Sequence, residues 1–202
     1  EKKLEKQNNT FIYQEIKSKQ ISLPHQFGKI SITLDKEFQK EIFQLQTEFS
    51  GDNKLTWEDF IYFDIETTGL SAGTGNFPFL TGVLFVKENK IIIEQFLSYE
   101  FSGFSDLIYT MKERFGNFKC LVSYNGKSFD RHVLTSHMLL NRQPTSILMD
   151  KDHIDLLHIS RLIWKNQLSS FSLKDIEKNI LHFSRSNDIT GKEAADYYIM
   201  YQ

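Results

Sequence analysis

The sequence predicts an α/β fold with a mixed sheet: three antiparallel strands come first, parallel strands follow, helices flank them, and an N-terminal extension precedes them. Three observations carry this reading. Phe60-Ile61-Tyr62-Phe63-Asp64-Ile65-Glu66 is an apolar run with the aromatic and β-branched composition of a strand. Leu80–Val86 and Ile91–Ser98 are two further apolar runs, joined by the hairpin-like Lys87-Glu88-Asn89-Lys90. Because sequential strands usually pair, these three form an antiparallel set. Beyond residue 104, helical and strand patterns alternate, as parallel strands with crossover helices require.

Taken in order, Glu1–Asn9 is polar, and Thr10–Ile16 is too mixed in pattern to assign. Pro24 and Gly28 punctuate a short alternating stretch, Lys29–Leu34, that reads as a half-buried strand. Asp35–Phe49 places Phe38, Ile42, Leu45 and Phe49 at helical spacing and is closed by Ser50-Gly51-Asp52-Asn53, which makes it a packing helix. Residues 1–56 form the extension, and residues 57–202 the main domain. In the main domain the patterns predict a helix over Ser105–Phe115 and a strand over Cys120–Tyr124. A helix entered through Asn125-Gly126 then runs from about Ser128 to Leu140. Asp155 is placed to N-cap a helix over Leu156–Trp164, Leu173–Leu181 is amphipathic, and Glu193–Tyr201 is a last helix.

Composition bounds the function. A chain of 202 residues, 40% hydrophobic and 14% aromatic, buries one substantial core. A net charge of -2 provides no global basic field, so any polyanion must be bound locally. The single cysteine, Cys120, excludes an internal disulfide and a cysteine-based zinc site; it fits a reducing cytoplasm, with no disulfide-linked partner, and a packing role within Lys119–Val122. No apolar stretch approaches the ~20 residues that span a bilayer, and no signal-peptide pattern opens the chain, so it reads as soluble and cytoplasmic with no membrane partner. Glu1 in place of Met reads as a processed or trimmed start.

The chemistry starts at Asp64 and Glu66. Side chains alternate along a strand, so both acids point to one face. Two adjacent carboxylates repel, and an apolar strand raises the cost of charging them; a bridging cation or a shared proton resolves this. An oxygen-only donor set favours Mg²⁺ or Mn²⁺ over zinc. The alternative is an edge strand with both acids solvated. A third candidate ligand, Asp130, follows in Tyr124-Asn125-Gly126-Lys127-Ser128-Phe129-Asp130, on the first turn of a helix that begins where a strand ends. It faces inward if Phe129, Val133 and Leu140 mark the buried side and Asp130, Leu134 and His137 line the adjacent flank. The alternative is an acid favoured there by the helix dipole.

At this point the chain resembles a known family. Asp64-Ile65-Glu66-Thr67-Thr68-Gly69-Leu70 looks like the first motif of the DEDD exonucleases, which have a ribonuclease H-like fold, and Tyr124–Asp130 looks like their second. Asn125–Asp130 together with His153–Arg161 and Ser172-Leu173-Lys174 is most similar to the YprB-like branch of that superfamily, over roughly Phe60–Tyr201. The resemblance implies a two-metal 3′-5′ exonuclease acting on a single-stranded 3′ end of DNA or RNA. It implies that Asp64 bridges two Mg²⁺ or Mn²⁺ ions, Glu66 binds the nucleophile-side ion and Asp130 holds the other. Thr67, Thr68 and Leu70 would contact the terminal nucleotide, with Leu70 wedging against a base. Asn125 is either a substrate residue or the turn-former of an Asn-Gly pair.

One departure stands out. The family carries a final His or Tyr followed by Asp, and no such spacing is found among His182, Asp188, Asp196, Tyr197 and Tyr198. The expectation is that the chain ends before reaching it; Asp155 is a possible substitute, but reads as an N-cap. A catalytically inactive nucleic-acid-binding domain of the same fold is the alternative function. An actin-like ATPase is disfavoured by Glu66 and by the lack of Gly-rich phosphate loops; Gly73-Thr74-Gly75 reads as a turn beside the site. Arg161, Lys165, Lys174, Lys178 and Arg185 form either a phosphate-tracking surface or solvated helix faces. His137, His158 and His182 read as packing or surface residues.

Overall fold

Six strands form one mixed sheet. The computed structural model describes residues 6–7, 10–11, 14–27, 30–34, 55–69, 75–100, 104–186 and 188–202. In chain order the strands are β1 (Lys6–Gln7), β2 (Thr10–Phe11), β3 (Gln14–Ser22), β4 (His25–Phe27), β5 (Ile30–Ile32), β6 (Phe60–Thr67), β7 (Pro78–Lys87), β8 (Lys90–Ser98), β9 (Cys120–Ser123) and β10 (Asp152–Asp155). The helices are α1 (Phe104–Gly116), α2 (Asp130–Leu140), α3 (Ser146–Met149), α4 (Leu156–Trp164), α5 (Leu173–Asn179) and α6 (Gly191–Tyr201). Strands β6, β7, β8 and β3 pair antiparallel in that order, whereas β9 and then β10 add in parallel on the other side of β6, giving the order β10-β9-β6-β7-β8-β3. The mixed sheet expected from the sequence is therefore present.

The β7–β8 connection is a tight turn with both central residues in the left-handed region, Glu88 at φ 50° and Asn89 at φ 58°. That conformation matches the twist of a two-residue hairpin. The N-terminal extension joins the sheet through β3, whose register runs from Gln14 opposite Ser98 to Ser22 opposite Lys90. Leu23 N–H then donates to Asn89 O at 3.3 Å, tying the chain to the hairpin turn. Of the strand expected over Lys29–Leu34, the described residues form Ile30–Ile32, which pairs with β4 outside the main sheet; Lys29 lies outside the described residues. The helix expected over Asp35–Phe49 lies outside the described residues.

Two apolar layers sandwich the sheet. On one face Ile61, Phe63, Val83 and Phe96 pack under Leu107, Ile108, Met111 and Phe115 of α1 and Val133, Leu134 and Met138 of α2. Each such side chain contributes roughly 1.5–3 kcal/mol of transfer free energy. Phe63 meets Phe115 edge-on at 5.6 Å. On the other face Leu55, Phe60, Cys120, Val122, Ile154 and Ile159 form a smaller cluster under α4. Cys120 thus has the packing role expected of it. Leu140, expected inward, is exposed: α2 ends there, and the last inward contact of that flank is Met138. Among the described residues, no helix is long and apolar enough to cross a membrane.

Candidate active site

The split between β6 and β9 builds the site. They pair only from Phe60–Tyr62 against Cys120–Val122, and beyond Tyr62 the two strands separate. Crevices of this kind, at the carboxyl ends of parallel strands, are where α/β sheets bind ligands. Asp64 and Glu66 lie on β6 beyond the separation point. Asp130 opens α2, seven residues after the end of β9. All three acids therefore gather at one end of the sheet.

Electrostatics record that convergence. Asp130 is buried, and its pKa is pushed up to about 7, first by burial and then by the charges of Asp64, Asp155 and Glu66. Burial and the neighbouring Asp64 and Asp188 raise Glu66. Asp64 keeps access to solvent, yet the protein packed around it raises its pKa, against the opposing pull of Arg185 and the Ile65 N–H. No protein donor is hydrogen-bonded to the Asp130 carboxyl among the described residues. An oxygen-only set of mutually repelling carboxylates fits a hard divalent cation, whose charge would reverse each of these shifts. Among the described residues no three His, Cys, Asp or Glu side chains stand close enough to hold an ion as they are. The fit rests on the chemistry and field of the donor set.

The loop before Asp130 is fixed by one residue, Asp155. Its carboxylate accepts N–H bonds from Asn125 at 2.8 Å, Lys127 at 3.1 Å and Leu157 at 3.0 Å. The Leu157 bond is the N-cap expected from the sequence; the other two are long-range and invisible to sequence spacing. With those three bonds made, Asp155 serves the loop. Asn125 adopts φ 65°, which Asn tolerates better than most residues, so the turn-forming role is observed; its side chain is exposed. At Gly126 a Cβ would sit 2.6 Å from Asp130 Oδ2 and 2.8 Å from Ser123 Oγ, so only glycine lets the loop pass. Beneath it, Ser123 Oγ accepts from Gly126 N–H at 3.2 Å and lies 2.8 Å from His153 Nε2.

The turn after β6 is equally constrained. The register shifts between Glu66 and Thr67 as the strand leaves the sheet. Thr68 N–H donates to Phe77 O at 3.0 Å, Phe77 N–H donates to Thr68 Oγ1 at 3.0 Å, and Thr67 Oγ1 donates to Gly69 O. Both threonine hydroxyls therefore shape the turn. His137 Nε2, 2.7 Å from Asn76 O, tethers the far side of that loop to α2 and is the packing histidine expected. Leu70 lies outside the described residues.

Sequence reasoning missed the connection from α5 to α6. Arg185 makes a two-point contact with Glu177 and a bond to Asp188, and Lys174 pairs with Asp188 at 2.8 Å. Thr190 and Glu193 then form a reciprocal capping box at the start of α6. Gly191 abuts Glu66: a Cβ there would lie 3.0 Å from Oε2. The Thr190–Glu193 capping pair was the available signal for this helix start.

The comparisons agree with this architecture. The sequence profile of the RNase H superfamily matches residues 61–202. YprB of Bacillus subtilis (strain 168) is 36% identical over 149 residues, covering 73% of this chain and 35% of that protein, so the chain spans about a third of the relative's length. Among solved structures, E. coli exonuclease I in complex with a dT13 oligonucleotide aligns with a TM-score of 0.52 and 16% identity, covering 70% of this chain and 40% of that one. A product-bound exonuclease I aligns at 0.52 and 14% identity, covering 70% and 42%. At such identities these structures speak for the fold. The chain belongs to the RNase H superfamily.

Proposed function

We propose that this protein is a metal-dependent nuclease that removes nucleotides from the 3′ end of a single-stranded nucleic acid, and that Asp64, Glu66 and Asp130 are its metal ligands. The observation that supports it most is the raised pKa of all three acids at the open ends of β6 and β9, with neighbouring carboxylates among the causes for Glu66 and Asp130. In this reading residues 57–202 are the catalytic unit and residues 1–56 an extension to it, whose strand β3 pairs with β8. Likeness in fold to exonuclease I, solved with an oligonucleotide, is consistent with a nucleic-acid substrate.

Asp64, Glu66 and Asp130 would hold Mg²⁺ or Mn²⁺, two ions in the active state. Bound there, the ions supply an acidified water and positive charge for the phosphoryl oxygens. The protein's own contribution is placement. Asp155 fixes the Asn125–Lys127 loop and hence the start of α2; Gly126 clears space for Asp130; the Thr67–Gly69 turn sets the wall beside Glu66. Thr67, Thr68, Leu70 and Asn125 would be the residues that contact the terminal nucleotide. Hydrolysis of a single-stranded oligonucleotide in Mn²⁺ tests the reading: Asp64→Ala should lose activity by orders of magnitude while its fold stays intact. A protein that binds the strand and turns nothing over, in wild type and variant alike, would be the binding domain without catalysis.

A further inference from the structure

Three carboxylates repel a phosphodiester, so a strand entering this crevice needs cationic donors beside it. Arg185 is built for that task. Glu177 grips its guanidinium side-on, with Nε donating to Oε2 and Nη2 to Oε1, both at 2.7 Å. Nη1 donates to Asp188 Oδ1 at 3.3 Å. A guanidinium carries five N–H donors, and these bonds use three. Among the described residues this leaves one N–H on each Nη, and the side chain keeps 37% of its exposure. The group is thus both immobilised and open.

Its setting ties it to the crevice. Asp188, bonded to Arg185 and Lys174, precedes Gly191 by three residues, and Gly191 presses on Glu66. At its other end the connection is braced by Phe183, whose ring lies 4.4 Å from that of Phe27 on β4. Lys174 and Arg185 balance Glu177 and Asp188, so the network carries no net charge to compete with the carboxylates for cations. It offers a rigid pair of donors, the arrangement with which arginine reads phosphate oxygens.

We propose that Arg185 binds a backbone phosphate of the nucleic-acid strand, adjacent to the nucleotide held over Asp64 and Glu66. The assignment rests on the nuclease reading above. It is tested by steady-state hydrolysis, in Mn²⁺, of oligothymidylates that each carry one neutral methylphosphonate at a different distance from the 3′ end. Wild type should show one position at which the neutral linkage raises KM roughly tenfold. Arg185→Gln should have that raised KM on the fully charged strand and lose the penalty at that position. Arg185→Lys, which retains charge without the two-point grip, should show a reduced penalty and carries the test if Arg185→Gln fails to fold. A penalty profile unchanged in the variants, or a wild type with no position-specific penalty, overturns the Arg185 assignment and leaves the nuclease reading standing. A wild type that hydrolyses none of the strands removes both, and does so before any variant is compared.

Discussion

Asp155 shows how a single buried side chain can fix a site without touching the chemistry. Its carboxylate serves three backbone N–H groups from two segments. Asp155→Ala would strand those donors, costing on the order of 3 kcal/mol and lowering the melting temperature by about 6–12 °C. Thermal unfolding followed by circular dichroism measures this, and an unchanged midpoint would contradict the account. Asp155→Asn keeps the shape but accepts fewer bonds, so it should fall between wild type and Asp155→Ala. The contrast with Asp64 and Glu66 explains what was legible. Their shared face follows from strand alternation, a local rule. The Asn125 and Lys127 bonds to Asp155 join residues about thirty apart and depend on β9 and β10 being neighbours. The cap on Leu157 was readable; its second use was not.

At the scale of elements, α6 is held to the sheet by Tyr198. Its ring stacks 4.3 Å from Phe79 at 11° and 6.1 Å from Phe77 at 25°. Its hydroxyl is buried without a partner among the described residues. Tyr198→Phe should therefore be neutral or stabilise by roughly 1 kcal/mol, whereas Tyr198→Ala should cost roughly 3–5 kcal/mol. Chemical denaturation of both variants measures this, and a Phe variant weaker than wild type by more than its error would show that the hydroxyl has a role. Because α6 begins at Gly191, against Glu66, the Ala variant should also weaken the site. Elements with strong apolar patterns, β6 to β8 and α1, were readable. Strand β3 was not: it is an edge strand of mostly polar residues, held by its ladder to β8, and its Ile16 is exposed. Nor was β10, whose four residues include Asp152 and Asp155 and whose burial comes from pairing with β9.

For the whole molecule, the acids at the sheet ends couple stability to pH and to metal. Asp130 keeps its proton up to about pH 7 in the native state and releases it near the ordinary aspartate range when unfolded. Native protein therefore binds more protons across that window, and this group's contribution to stability falls as pH rises through it. His153, lowered to about 4 by burial first and Arg131 next, acts in the opposite direction below its ordinary value. Comparing Asp130→Asn with wild type separates the two. Without metal the variant should gain relative to wild type from pH 5 to pH 8, by an amount on the order of 2–4 kcal/mol. Added Mn²⁺ should raise the wild-type melting temperature more at pH 8 than at pH 5 and do little for the variant. A constant gap between the proteins across this range would contradict the clustered-carboxylate account. The central claim is tested most directly by digesting a 5′-labelled single strand in Mn²⁺ and resolving the products by length. A ladder that shortens from the 3′ end with wild type, absent with Asp64→Ala, is the predicted result; an intact strand with folded wild type, or a ladder that persists in Asp64→Ala, contradicts it.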